Sequence, residues 1–202
     1  MRDFIDSFLI ESLEMGAKWA LRIWVPSSSF IVLGRFSKLN EEVKDGAKLP
    51  IRRRLGGGCA VVLYPGTIIL SVAVKRALNP MAFPKQWIMF FNEIVISALE
   101  KVGLENLKER GWGDITYGDK KIGGISLFSS RKAILYQLSL IYKLDLSLIS
   151  DNLKHPPREP DYRRSRDHRE FLTSIYSIAP EISAADLMNS LEKEIKKALL
   201  SL

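Results

Sequence analysis

The chain is poor in the residues that staple small proteins or hold metals. It has one cysteine, Cys59, and two histidines, His155 and His168. A lone thiol closes no disulfide within the chain, and one Cys with two His is too few for a four-ligand zinc site, so no protein-held metal is expected. Such sparing use of cysteine suits a reducing, cytoplasmic compartment. Long apolar runs are also missing. No stretch approaches the roughly 18 consecutive apolar residues that span a bilayer. Asp3, Asp6 and Glu11 interrupt the first apolar stretch, where a signal peptide would be free of charge. Acidic residues are outnumbered, with 23 Asp and Glu against 30 Lys and Arg, a formal net charge of +7. That excess points to an anionic partner: a phosphate-bearing substrate, an acidic protein or a nucleic acid. The basic clusters are not interleaved with aromatic residues, which disfavours nucleic acid.

What is present is ordinary globular material. Of 202 residues, 47% are hydrophobic and 26% charged, enough to bury a sizeable core as one domain over residues 1–202. Apolar spacing predicts a short helix over residues 4–14, with Ile5, Phe8, Leu9 and Leu13 on one face. Trp19 to Val25 and Phe30 to Leu33 read as strands forming a hairpin, with Pro26 and three serines between them. Residues 37–50 read as loop. Ala60–Tyr64 and Thr67–Val74 read as two strands covered on both faces, joined through Pro65-Gly66 in a type II turn.

Further along, Trp87, Phe91, Ile94, Ala98 and Val102 fall at helical spacing between Pro84, suited to a first helical position, and Gly103, suited to a position just past the end. Residues 104–120 are polar and glycine-rich. Ile122–Phe128 and Ala133–Tyr142 form another strand pair, and one or two helical turns follow at 145–152. Residues 153–170 are proline-broken, with six Lys/Arg and four Asp/Glu, and read as a surface loop. Ser183 and Asp186 resemble a capping box for a last helix over 183–200, striped by Leu187, Leu191, Ile195 and Leu199. The expected fold class is α/β (α+β): mostly antiparallel strand pairs with flanking helices.

Two segments carry chemistry. In the first, Arg52, Arg53 and Arg54 stand just before Gly56, Gly57 and Gly58, at the entry to an apolar strand. Glycines let a backbone approach a ligand and leave N–H groups open, while arginine presents a fork of donors to phosphate or carboxylate. The alternative is a flexible bend beside a solvated basic run. No Gly-Lys-Ser/Thr follows, so this is not a P-loop, and the spacing of a dinucleotide fingerprint is absent. In the second, Gly113, Asp114 and Gly118-Asp119 precede Lys120, Lys121, Ile122, Gly123 and Gly124. Either a hairpin turn with solvated lysines or a lysine at the mouth of a ligand site fits that pattern. Neighbouring strand residues face opposite ways, so one of the two lysines points inward.

Taken together, Arg53-Arg54-Leu55-Gly56-Gly57-Gly58 and Lys121-Ile122-Gly123-Gly124 resemble the lipoate–protein ligase family, which groups with biotin–protein ligases and octanoyltransferases. Trp24-Val25-Pro26, Val32 to Arg35 and the stretch from Pro160 to Phe171 add to the likeness, which covers roughly residues 5–175. The resemblance implies a biotin/lipoyl ligase-like catalytic domain. Many members carry an extra C-terminal domain, and its absence here is expected because residues 183–200 are only one helix. The resemblance implies ATP-dependent activation of lipoate, or a similar medium-chain acid, to an acyl-adenylate, with Mg²⁺ carried on the phosphates. The acyl group then passes to a lysine of an acidic lipoyl-carrier domain, with a separate accessory subunit as a further partner. Lys121 is the implied catalytic residue. Arg53, Arg54, Gly56, Gly57, Gly58, Gly123 and Gly124 would bind acyl and phosphate groups, and Asp114 would bind the nucleotide or cap a turn. Three departures stand out: Leu55 before the triple glycine, Val62-Leu63-Tyr64 where a histidine often follows, and Tyr136-Gln137-Leu138-Ser139 where the family has His-Gly-Thr. The rival readings are an octanoyl- or lipoyltransferase using a carrier thioester and Cys59, and a non-catalytic member that binds lipoylated protein. Cys59 reads better as a small buried residue, and His168 as a solvated loop residue.

Overall fold

A computed structural model describes residues 4–78, 81 and 83–202; Asp3 lies outside them. In chain order the elements are α1 (Phe8–Glu14), β1 (Trp19–Trp24), β2 (Phe30–Leu33), α2 (Leu39–Glu42), β3 (Ile51–Arg53), β4 (Val61–Leu63), β5 (Thr67–Lys75), α3 (Pro84–Glu100), β6 (Leu107–Arg110), β7 (Asp114–Tyr117), β8 (Lys120–Ser129), β9 (Ala133–Ile141), α4 (Leu146–Asn152), α5 (His168–Phe171), α6 (Ile175–Ile178) and α7 (Ala184–Leu200). Six strands form one sheet in the order β1-β5-β9-β8-β7-β6, and three form a second, β3-β2-β4. All pairings are antiparallel except β2 with β3. This is the mixed α+β class expected from the apolar pattern. Among the described residues no helix is long and apolar enough to cross a membrane.

The apolar run of β5 is buried on both faces because two different layers cover it. Ile68, Leu70, Val72 and Val74 face the main core, where α3 contributes Trp87, Phe91, Val95 and Leu99 and α7 contributes Leu187, Leu191, Ile195 and Leu199. Phe91 stacks between Trp87 and Tyr136, at 6.1 and 4.9 Å between ring centres. On the opposite face Ile69 packs with Phe30, Val32 and Leu63 of the small sheet, while Ala73 meets Leu9, Ile10 and Leu13 of α1. The last helix starts as expected, with Ser183 Oγ accepting from the Asp186 amide. Gly103 has φ +98° just beyond α3, and the Leu104 amide donates back to Leu99.

Several local expectations change. β1 and β2 are not a hairpin, because they enter different sheets: β1 pairs with β5, and the fully buried β2 is wedged between β3 and β4. The same separates β4 from β5. Their turn does close, with the Thr67 amide donating to the Tyr64 carbonyl at 2.8 Å. It is not type II, since Gly66 keeps a negative φ. Glycine is needed there for space: a Cβ would stand 2.5 Å from the Lys143 carbonyl oxygen. The polar stretch 104–120 contains β6 and β7, and the loop read over 37–50 holds the short α2. The first helix begins only at Phe8, which is exposed rather than inward-facing.

Ahead of α1, Asp6 adopts the left-handed conformation (φ +60°) with its carboxylate fully buried. It accepts from Arg22 at 2.6 Å, Ser71 at 2.6 Å and the Trp24 indole at 3.2 Å, tying the N-terminal segment to β1 and β5. Hydrogen bonds to a buried charge are strong, and losing the acceptor strands three donors. Asp6→Ala should therefore lower the unfolding free energy by about 2–3 kcal/mol, read from urea denaturation followed by tryptophan fluorescence.

Candidate active site

A cavity of about 710 Å³ lies between the two sheets. The large sheet lines it with Thr67, Ile69, Gly124, Ser126, Gln137 and Ser139, and the small sheet with Val32, Val61, Val62 and Leu63. Residues 153–172 complete it, contributing Arg158, Glu159, Arg163, His168 and Phe171 among others. Apolar walls with a few convergent polar groups suit a small, partly apolar ligand.

Lys121 reaches this cavity through an irregularity in β8. Ile115 pairs with Gly123 and Thr116 with Lys121, so β8 spends one more residue than β7. Such a bulge re-aims side chains. Ile122 is fully buried in the main core, and a Cβ on Gly123 would meet Leu140 and Leu138 of that same core. Two successive residues thus face the helices, and Lys121 falls on the cavity side with Gly124. A Cβ on Gly124 would stand 2.7 Å from Lys121 Nζ and 2.8 Å from its Cε, so Gly124 makes room for the lysine. The Lys121 ammonium pairs with Asp114 Oδ1 at 2.8 Å, both side chains being largely buried. The other Asp114 oxygen accepts from the Tyr162 hydroxyl at 2.8 Å. Burial, with Asp114 adding to it, raises the Tyr162 phenol well above its ordinary value and keeps it a donor. Lys120 is exposed and off the cavity. The hairpin turn at Gly118-Asp119, one of two readings of this segment, coexists with the inward lysine.

The arginine–glycine segment divides its labour. Arg53 is directed away from the cavity and donates to the carbonyls of Gly34 and Ser37. Arg54 is buried and lines the cavity, but its guanidinium is committed to the carbonyls of Val32, Gly57 and Cys59. Burial lowers it to about 10, with Glu42 opposing, so it stays charged at neutral pH. The loop's other carbonyls are engaged too: Gly56 accepts from the Arg35 amide, Gly57 also from Ser126 Oγ, and Gly58 from Ser37 Oγ. The amides of Gly57, Gly58 and Cys59 donate to no acceptor among the described residues, which leaves a row of N–H groups beside the cavity. Gly56 sits back against β8, where a Cβ would collide with Ser126. The Cys59 thiol, half-buried, lines the cavity and donates to the Arg158 carbonyl at 3.5 Å.

The charged loop is more than surface. Arg166 pairs with Asp119 at 2.7 Å, and the Thr173 amide donates to the Lys121 carbonyl at 3.0 Å. Leu172 bridges to Lys121 at the stretch of β8 that β9 has already left. The buried Arg163 bonds the Arg166 carbonyl and stands 3.4 Å from Glu159, and its Nη2 has no partner. His168 opens α5 and lines the cavity rather than standing in solvent. Burial, with Arg163 and His155 adding to it, pushes its imidazole down to about 4. Sequence reasoning missed Tyr162 as the partner of Asp114. The clue was a dense charge pattern that a solvated loop does not need.

Lipoyl protein ligase A/B catalytic domain is the description of the family whose sequence profile matches residues 5–196. "Putative lipoate-protein ligase A" of Aeropyrum pernix is 29% identical over 149 residues, 71% of this chain and 53% of that protein. The chain thus spans about half the length of that relative. "Lipoate-protein ligase A subunit 1" of Thermoplasma acidophilum is 25% identical, over 96% of this chain and 77% of that protein. Among solved structures, a lipoate-protein ligase A bound with ATP superposes with a TM-score of 0.76 at 22% identity, covering 91% of this chain and 74% of that one, a likeness of fold.

The depressed His168 has a consequence for stability. The unfolded chain takes up its proton near the ordinary 6.5, the folded chain only near 4. The His168 contribution is therefore present above about pH 6.5 and is lost as pH falls toward 4. Urea midpoints across that range should fall with decreasing pH, and His168→Gln should flatten the decline.

Proposed function

Because the chain belongs to the family of lipoyl protein ligase A/B catalytic domains, we propose that it activates lipoate or a similar medium-chain acid with ATP and transfers the acyl group to a lysine. The observation that carries this reading is the Lys121 ammonium, held by Asp114 over Gly124 in an apolar cavity bordered by the free amides of Gly57, Gly58 and Cys59. In the first half-reaction the acid's carboxylate oxygen attacks the α-phosphorus of ATP and pyrophosphate leaves. In the second the acceptor amine attacks the acyl carbon and AMP leaves, taking the bonding pair. Both steps build negative charge on carbonyl and phosphate oxygens. A fixed ammonium and open amides in a water-poor site stabilise that charge without reorganising.

Arg54 serves by turning loop carbonyls inward, which supports the Gly56–Gly58 segment as the phosphate and acyl seat. Arg163 Nη2, a buried donor without an acceptor, fits an anionic oxygen from the opposite wall. Asp114 acts through its bonds to Lys121 and Tyr162 in this reading. Among the described residues no three His, Cys, Asp or Glu side chains cluster as a metal site. Mg²⁺ would enter on the ATP phosphates and supply charge neutralisation there. The +7 chain suits an acidic carrier domain as acceptor. The Thermoplasma relative is named a subunit, which supports a second polypeptide as partner.

Mass spectrometry of the purified chain with ATP, Mg²⁺ and lipoate or octanoate should detect acyl-adenylate. Lys121→Ala should reduce its formation by on the order of 10²–10³. Gly124→Ala, whose methyl displaces the ammonium, should reduce it with an unchanged melting temperature. Cys59→Ser should leave it intact. Acyl transfer that needs no ATP and disappears in Cys59→Ser would replace the ligase reading with the thioester transferase.

A further inference from the structure

Two buried side-chain polar atoms among the described residues lack a hydrogen-bond partner, Arg163 Nη2 and Gln137 Oε1, and both side chains line the cavity. The first is a donor beside a site that takes anions. The second is an acceptor, and neither carboxylate nor phosphate can satisfy it. Gln137 lies midway along β9, opposite Ser71 of β5 and Ser126 of β8, and is 7% exposed.

The orientation of its amide is fixed. Nε2 donates to the Ile5 carbonyl at 3.3 Å, and turning the amide over would set two acceptors against each other. The hydroxyls nearby cannot supply a proton to Oε1, because each has spent its own. Ser71 donates to Asp6 at 2.6 Å, Ser126 to the Gly57 carbonyl at 3.0 Å, and Ser139 to the Gly124 carbonyl at 3.4 Å.

We propose that Gln137 makes the cavity selective for an acid whose chain carries a hydrogen-bond donor, such as a hydroxyl, thiol or N–H, over the unsubstituted saturated acid of the same length. This deepens the preceding section's reading and rests on its premise that the cavity takes a medium-chain acid. Oε1 is already buried and unpaired in the free chain, and an alkyl chain beside it leaves it so. A donor at that point supplies the missing bond. Sites built around a buried acceptor reject ligands that leave it unpaired far more strongly than apolar sites reject an extra group.

The test is isothermal calorimetry on the full chain, with octanoic acid and a series of octanoic acids bearing one hydroxyl at successive chain positions. The best hydroxylated acid should bind the wild type about tenfold more tightly than octanoate. In Gln137→Leu that ratio should fall to one or invert, with octanoate gaining affinity. Gln137→Met gives a second apolar variant of similar volume, and the wild-type ratio stands without either. Octanoate binding the wild type as tightly as every hydroxylated acid would overturn the proposal while leaving the acyl site standing. Binding of no acid at all would overturn both.

Discussion

A regularly alternating strand could not hold Lys121 where it is. Gly124 and Ser126 face the cavity, so alternation alone would place Ile122 beside them and turn Lys121 into the core. The extra residue in β8 reverses that parity, burying Ile122 and delivering the ammonium to the cavity. The rest of the site depends on this shift. β7 runs opposite the bulge and carries Asp114 to within 2.8 Å. The preceding Gly113 carbonyl is held by Asn92, itself bonded by the Tyr136 hydroxyl at 2.7 Å in the core beneath. On the other side β9 ends at Ile141, and the edge of β8 that it leaves is taken by Leu172 and Thr173. Lys121 is thus fixed through its backbone from one side and through its side chain from the other.

The charges around it are arranged so that few cations repel each other unpaired. Lys121 has Asp114, Arg163 has Glu159, and Arg54 has backbone carbonyls with Glu42 close enough to oppose its desolvation. His168 remains neutral because another buried positive charge beside Arg163 would cost more than an imidazole gains by protonation. Arg54 also decides what the glycine loop shows a ligand. A peptide presents both a donor and an acceptor, and an anion tolerates only the donor. The carbonyls of Gly57 and Cys59 are drawn onto a guanidinium, and the amides of these cavity-lining residues have no acceptor among the described residues. The adjacent arginines therefore contribute differently: Arg54 shapes the loop, and Arg53 fastens it to the Gly34–Ser37 turn.

The elements that composition and period reveal are those whose residues answer to one neighbour. The stripe of α7, the helix from Pro84 and the two-faced run of β5 follow from local pattern, and the triple glycine and Lys121 from motif. What local pattern cannot carry is pairing across the chain. β1 and β2, and β4 and β5, are adjacent in sequence yet belong to different sheets, because each β5 face needs its own covering layer. The role of Asp114 was open because its partner Tyr162 lies 48 residues away in sequence. The bulge is invisible for a related reason: the motif singles out Lys121, but alternation alone does not show how it comes to face the cavity until the register with β7 is known.

The alternation that builds the core also builds the cavity, on the opposite face of the same strands. Along β9, Ile134, Tyr136 and Leu140 pack toward the helices, while Gln137, Ser139 and Ile141 line the cavity, and Leu138 belongs to the core but also borders the cavity. Along β5, Ile68 and Leu70 face one way, and Thr67 and Ile69 the other. Small and polar residues dominate the cavity floor because each leucine-sized side chain there would consume the space a ligand needs. Large apolar residues dominate the other face because every methylene there adds burial. Since neighbouring strand positions point to opposite faces, the residues at Gln137 and Ser139 can change without disturbing the packing of Tyr136. The departure from the family pattern over Tyr136 to Ser139 therefore places Gln137 and Ser139 in the cavity lining, and beneath them Tyr136 packs on Phe91 in the core.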